Sequence, residues 1–68
     1  MTGRSYPLAA PVWLTAAELA ARWRLSLRTI DRWRAERYGP AWHAIGGRIL
    51  YSLDDVEAFE ARQRKNDG

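Results

Sequence analysis

Arg28 and Arg32 stand four residues apart, a spacing that puts two side chains on one face of a helix. A guanidinium carries five N–H donors in a rigid fork. It can hold a phosphate, a carboxylate or a guanine edge through paired hydrogen bonds. The pair lies in a stretch from Arg22 to Arg48 with seven arginines: Arg22, Arg24, Arg28, Arg32, Arg34, Arg37 and Arg48. Only two acids, Asp31 and Glu36, stand against them. Four acids without a base follow (Asp54, Asp55, Glu57 and Glu60), then Arg62, Arg64 and Lys65. A base excess confined to one part of a small chain is the electrostatic footprint of a polyanionic partner. The formal net charge is only +3, and a solvated mixed-charge surface has the same composition. Lys65 is the one lysine, and the preference for arginine tilts the balance toward bidentate recognition.

Other chemistries find less material. The chain has no cysteine, which removes disulfides and thiolate metal sites. His43 is the single histidine, with no second histidine or plausible nucleophile arrangement near it in sequence. It reads as a strand or surface residue, and no catalytic residue, metal ligand or cofactor is expected. Gly46-Gly47 is too short for a phosphate-cradling loop and follows the wrong element. No stretch approaches the ~20 apolar residues of a membrane span, and no signal peptide is visible. The expected location is the cytoplasm, with the nucleoid as its site when bound to DNA.

The elements that position these residues follow from local signals. In 68 residues, four Trp, three Tyr and one Phe must supply most of the core of a single domain. Trp23, Trp33, Trp42, Tyr51 and Phe59 are expected inside it, while Trp13 and Tyr38 are candidates for a subunit contact. Residues 1–12, with Gly3, Pro7 and Pro11, read as a flexible arm, residues 13–65 as the domain, and residues 66–68 as a frayed end. Thr15 to Glu18 spell a capping box. A first helix runs from Ala16 to about Trp23, and Leu14 is placed to staple its start. Ser26 caps a second helix, Leu27 to about Arg37, whose inner face is Ile30 and Trp33. Arg24-Leu25-Ser26 leaves a three-residue turn between them, the spacing of a helix-turn-helix. Arg24 stands where Gly is common, so its backbone must avoid positive φ or bear strain. Gly39 suits a left-handed helix end, and Pro40 stops continuation. Ala41–Ile45 and Arg48–Tyr51 flank Gly46-Gly47 as a hairpin with a type I′ turn. Ser52 caps a third helix, Leu53 to about Arg64, with Asp55 at the third position and Leu53, Val56 and Phe59 inward. The expected fold is mainly α with a small β-hairpin: helix, turn, helix, wing, helix.

With that order on the page, a family resemblance appears. Leu14–Ala20 and Leu25–Trp33, then Gly39-Pro40-Ala41-Trp42, Ile45–Arg48, Tyr51 and Asp54–Phe59, resemble the MerR-like winged helix of small excisionases and AlpA-like phage regulators. The resemblance covers about Trp13 to Arg64. No single motif in it is specific; the ordered combination is. It implies double-stranded DNA binding without catalysis. Excisionase members bind direct repeats beside an attachment site, bend the DNA and bias a tyrosine or serine integrase toward excision; regulator members act at promoters. Larger relatives add a dimerisation helix and an effector domain, and neither is expected here.

On this reading Ser26, Leu27, Arg28, Thr29 and Arg32 meet DNA at the start and along one side of the second helix. Ser26 serves both as cap and as phosphate donor. Arg34 joins that set, Arg48 reaches DNA from the wing tip, and Arg22, Arg24 and Arg37 are candidate phosphate contacts; Arg34 and Arg37 read equally as partners of Glu36 and the acids of the third helix. The acids of the third helix should face away from DNA, solvated or against the basic face of a neighbouring copy in head-to-tail self-association. A protein-binding adaptor is the alternative from another functional class.

Overall fold

A computed structural model describes residues 11–65, so the expected arm lies outside the described residues apart from Pro11 and Val12, as does the expected C-terminal fraying. The elements in order are β1 (Trp13–Thr15), α1 (Ala16–Trp23), α2 (Leu27–Ala35), β2 (His43–Ile45), β3 (Arg48–Ser52) and α3 (Leu53–Gln63).

Each helix starts where a short polar side chain covers an orphan N–H. Thr15 Oγ1 accepts from Glu18 N at 3.1 Å, and Thr15 N donates to Glu18 Oε1 at 2.8 Å, closing the capping box. Ser26 Oγ accepts from Thr29 N, and Ser52 Oγ from Asp55 N, each at 3.1 Å. Asp55 turns its carboxylate toward His43, whose Nε2 lies 3.4 Å from Oδ2.

The hairpin expected from Gly46-Gly47 is present, with φ of 60° and 79° at the two glycines, both positive as a type I′ turn demands. It is part of a larger sheet. β3 is the central strand of an antiparallel sheet ordered β1-β3-β2. β1 pairs Trp13 with Ser52 and Thr15 with Leu50, while β2 pairs Ile45 with Arg48. Leu14, expected as a staple, is a strand residue packed against the core. Leu53 N, an unsatisfied donor in the first turn of α3, reaches the Val12 carbonyl at 2.8 Å and holds the entry to β1.

One fully buried side chain from each helix meets in the core: Leu19, Ile30 and Val56, joined by Ala20 and the ring of Tyr51. Each large apolar side chain contributes about 1.5–3 kcal/mol on burial. A second layer is aromatic. Trp23 lies 5.5 Å from Phe59 and 6.0 Å from Trp33, and Tyr38 meets Trp33 edge-on at 4.9 Å. This layer joins the C-terminal half of α3 to the α1–α2 pair. Trp42, expected inside, is instead 43 % exposed, on the segment between α2 and β2.

Candidate nucleic-acid interface

The inner face of α2 is Ile30, with Trp33 partly buried beside it. A helix period then sends Arg28 and Arg32 outward, and both are exposed. Among the described residues neither is in an ion pair. Leu27, the first residue of the helix, is 46 % exposed. Thr29 is half-buried, with its hydroxyl 3.0 Å from Ser26 Oγ. The outer face of α2 therefore presents two guanidinium forks outside any ion pair among the described residues, Arg28 near its start and Arg32 in its last turn, beside an apolar side chain and a capped helix end. Such a surface suits base edges and phosphate together.

The turn that sets α2 against α1 closes through a left-handed residue. Arg24 has φ 59°, so of the two outcomes open from sequence the strained one holds. Leu25 N donates to Ala20 O at 2.9 Å and Arg24 N to Ala21 O at 3.2 Å, the paired closure of a Schellman motif. The same closure ends α2. Arg37 also has φ 59°, with Tyr38 N on Trp33 O at 2.8 Å and Arg37 N on Arg34 O at 3.1 Å. The left-handed terminator expected at Gly39 is thus Arg37, and α2 stops at Ala35, two residues before the expected end. Gly39 has φ 101°, beyond the helix end. Both motifs leave an arginine exposed at a bend.

Arg22 and Arg34 have partners within the fold. Arg22 Nε and Nη2 donate to the two oxygens of Glu60 at 2.7 and 2.9 Å, a bidentate pair between α1 and α3. Trp23 Nε1 donates to the same carboxylate at 2.6 Å. The Arg22 guanidinium first, and the Trp23 indole second, hold the Glu60 carboxyl at about 2, well below its usual range. Arg34 Nη1 donates to Tyr51 Oη at 3.2 Å and Nη2 to Asp31 Oδ1 at 2.9 Å, and its guanidinium lies 5.8 Å from the centre of the Trp42 ring. The bond to Tyr51 satisfies the hydroxyl of a buried ring and links α2 to the central strand. Nothing within the local spacing indicates Glu60 or Tyr51, which lie 38 and 17 residues from Arg22 and Arg34, whereas Asp31 lies at the helical i,i+3 spacing from Arg34.

At the hairpin tip, Arg48 pairs across the turn with Ile45, and both are exposed, Ile45 by 46 %. The wing thus offers one cation and one apolar side chain beside two glycines. His43 is an exposed strand residue, edge-on to Trp13 at 5.1 Å. The acids of α3 divide. Glu60 is paired internally, while Asp54 and Asp55 occupy the first turn, where the helix dipole favours them. Trp42 is the exposed aromatic that pattern reading missed; its place directly after Gly39-Pro40, outside any helical period, is the available signal.

Residues 13–64 match the helix-turn-helix domain family, and no curated protein or solved structure matches the chain. The match spans every element described above. The chain belongs to this family, which comprises small excisionase-like and AlpA-like DNA-binding proteins, typically without enzymatic activity. Double-stranded DNA binding is the function of such a domain. No helix among the described residues is long and apolar enough to cross a membrane.

Proposed function

We propose that this helix-turn-helix domain binds specific DNA sequences as an excisionase-like architectural factor, occupying repeats near an attachment site, bending the DNA and directing an integrase toward excision. One observation carries the DNA-reading part: the outer face of α2 exposes Arg28 in its first turn and Arg32 in its last, outside any ion pair among the described residues, with Leu27 and the Ser26 cap at the helix start. In this reading Arg28 and Arg32 meet base edges in the major groove. Ser26 and Thr29 meet phosphate at the helix start. Arg48 enters the neighbouring minor groove from the wing, where narrow A·T tracts attract arginine. Arg24 and Arg37 contact the backbone from their bends, and Arg22 and Arg34 shape the domain from within. Residues 13–65 form the binding unit.

Support for the architectural part comes from charge. α3 carries Asp54 and Asp55 in its first turn and Arg62 in its last, with Arg64 and Lys65 beyond. Copies on adjacent direct repeats would set the acids of α3 against the basic face of a neighbour, a head-to-tail arrangement that favours cooperative binding. Titration of a duplex containing the neighbouring repeats should give stepwise, cooperative gel shifts and bending, with excision stimulated in the presence of the integrase. A single uncooperative shift with no effect on excision removes the architectural reading. A promoter-reporter response without change in recombination points instead to a transcription regulator of the same fold. With about four phosphates neutralised, log K should fall against log salt with a slope near −3.6. A flat response favours a protein-binding adaptor.

A further inference from the structure

Between the C-terminal end of α2 and the base of the wing lies an open groove of about 610 Å³ whose walls include Arg34, Arg37 and Trp42. No acidic side chain lines it. We propose that this groove seats a phosphate and sugar of the DNA strand that separates the two grooves read by the domain, with Arg37 on the phosphate and Trp42 packed on the sugar, its indole N–H donating to the backbone. This inference rests on the reading of α2 in the major groove and the wing in the neighbouring minor groove.

Topology supplies the first reason. A major groove and its adjacent minor groove are divided by one sugar–phosphate strand. A protein that enters both with α2 and with the β2–β3 turn must lay the segment joining them, residues 36–42, across that strand. The groove is built on this segment.

Side-chain chemistry supplies the second. Trp42 is large, apolar and 43 % exposed, yet its orientation is held: Arg34 sits 5.8 Å from the ring centre, and Arg34 is itself fixed by Tyr51 and Asp31. The flat ring is thus presented to solvent in a set position. Among the described residues its indole N–H has no partner, whereas that of Trp23 is satisfied by Glu60. Arg37 is exposed at a left-handed bend on the same wall and is in no ion pair among the described residues. The groove therefore combines a fixed aromatic wall, an unused N–H donor and an unpaired guanidinium, which suit an anionic backbone and carry no base code.

The test uses the full chain with two probes: a duplex selected by the protein from a random pool, and an unrelated mixed-sequence duplex. Arg37→Ala should weaken binding to both alike and reduce the magnitude of the log–log salt slope by about 0.9, the signature of one lost phosphate. Trp42→Phe, which keeps an aromatic ring but removes the pyrrole half of the indole with its N–H, should weaken both at least roughly three- to tenfold, the size of one hydrogen bond. Its thermal midpoint should be unchanged. DNA should shield tryptophan fluorescence from acrylamide more in the unaltered protein than in Trp42→Phe. Unchanged slope in Arg37→Ala together with unchanged affinity in Trp42→Phe, while Arg28→Ala still loses discrimination between the probes, overturns the groove proposal alone. An unaltered protein that binds neither duplex overturns the underlying reading and the groove with it.

Discussion

The Trp23 indole nitrogen donates to Glu60 at 2.6 Å, and the oxygen it reaches is the one that Arg22 Nε holds at 2.7 Å. Two consecutive residues of α1 thus close on one carboxylate of α3, at the edge of the aromatic layer. The contact joins elements far apart in the chain, and it removes Arg22 from the set of free cations.

Stability should respond to pH through this contact. The folded Glu60 carboxyl titrates at about 2, below its ordinary value of 4.5. A depressed carboxylate contributes stability that is present above the unfolded value and lost as pH falls through the folded one. The loss attributable to Glu60 should therefore develop between about 4.5 and about 2. Thermal melts of Glu60→Gln across that range should show a shallower decline than those of the unaltered protein. Parallel declines would rule out the contact as a stabilising one.

Arginine substitutions should separate fold from recognition. Arg28→Ala and Arg32→Ala should each reduce discrimination between specific and unrelated duplexes by about 1–3 kcal/mol if a bidentate base contact is lost, with melting unchanged. Arg22→Ala should do the reverse, lowering the thermal midpoint and sparing discrimination. Paired calorimetry and gel-shift titrations check both. Equal behaviour of Arg22 and Arg28 variants would contradict the assignment.

Arg24→Gly should stabilise the domain. A left-handed conformation costs a non-glycine residue about 1–2 kcal/mol. Glycine gives back about 0.4–1 kcal/mol of this through its freer unfolded chain. The strain is the larger effect, so a net gain of about 0.5–1 kcal/mol is expected, or several degrees in the midpoint for a domain of this size. If Arg24 also touches phosphate, the same variant should flatten the salt dependence of DNA binding, which a melt does not report.

The wing turn should accept asparagine and reject β-branched residues. Nothing lies within 4 Å of a Cβ built at Gly46 or Gly47, so the constraint is backbone conformation rather than space. Gly46→Asn creates the Asn-Gly pair favoured in type I′ turns and should leave stability within about 0.5 kcal/mol. Gly46→Val should cost about 1–3 kcal/mol by forcing a branched side chain to positive φ. Denaturant midpoints distinguish the two.

A core truncation sets the scale for these effects. Leu19 is fully buried against the other helices, and Leu19→Ala should cost about 2–5 kcal/mol. For so small a domain that is a large share of the total, so chemical denaturation should find a variant at or near the unfolded limit.

What the amino-acid order determined by itself was everything closed within a few residues. The caps at Thr15, Ser26 and Ser52 each bond an N–H three residues on, and the Gly46-Gly47 turn joins adjacent strands. Their free energies depend on local residue types, so helix starts, the hairpin and the outward face of Arg28 and Arg32 were all legible. Tertiary structure decided the rest. β1 is three residues long and finds its strand partner only in β3, with Thr15 opposite Leu50; Trp13 and Leu14 suit a strand, but a run so short has no period to reveal it. The partners of the arginines within the fold were decided the same way. Arg22 and Arg28 are alike in charge and both lie on helices, and only the packing of α3 brings Glu60 to the first and leaves the second open. Trp42 is exposed on a segment that follows a left-handed bend at Arg37, a conformation that few non-glycine residues adopt. An ion pair or a strand pairing needs a partner at a particular point in space, and that point exists only after the core of Leu19, Ile30 and Val56 has formed.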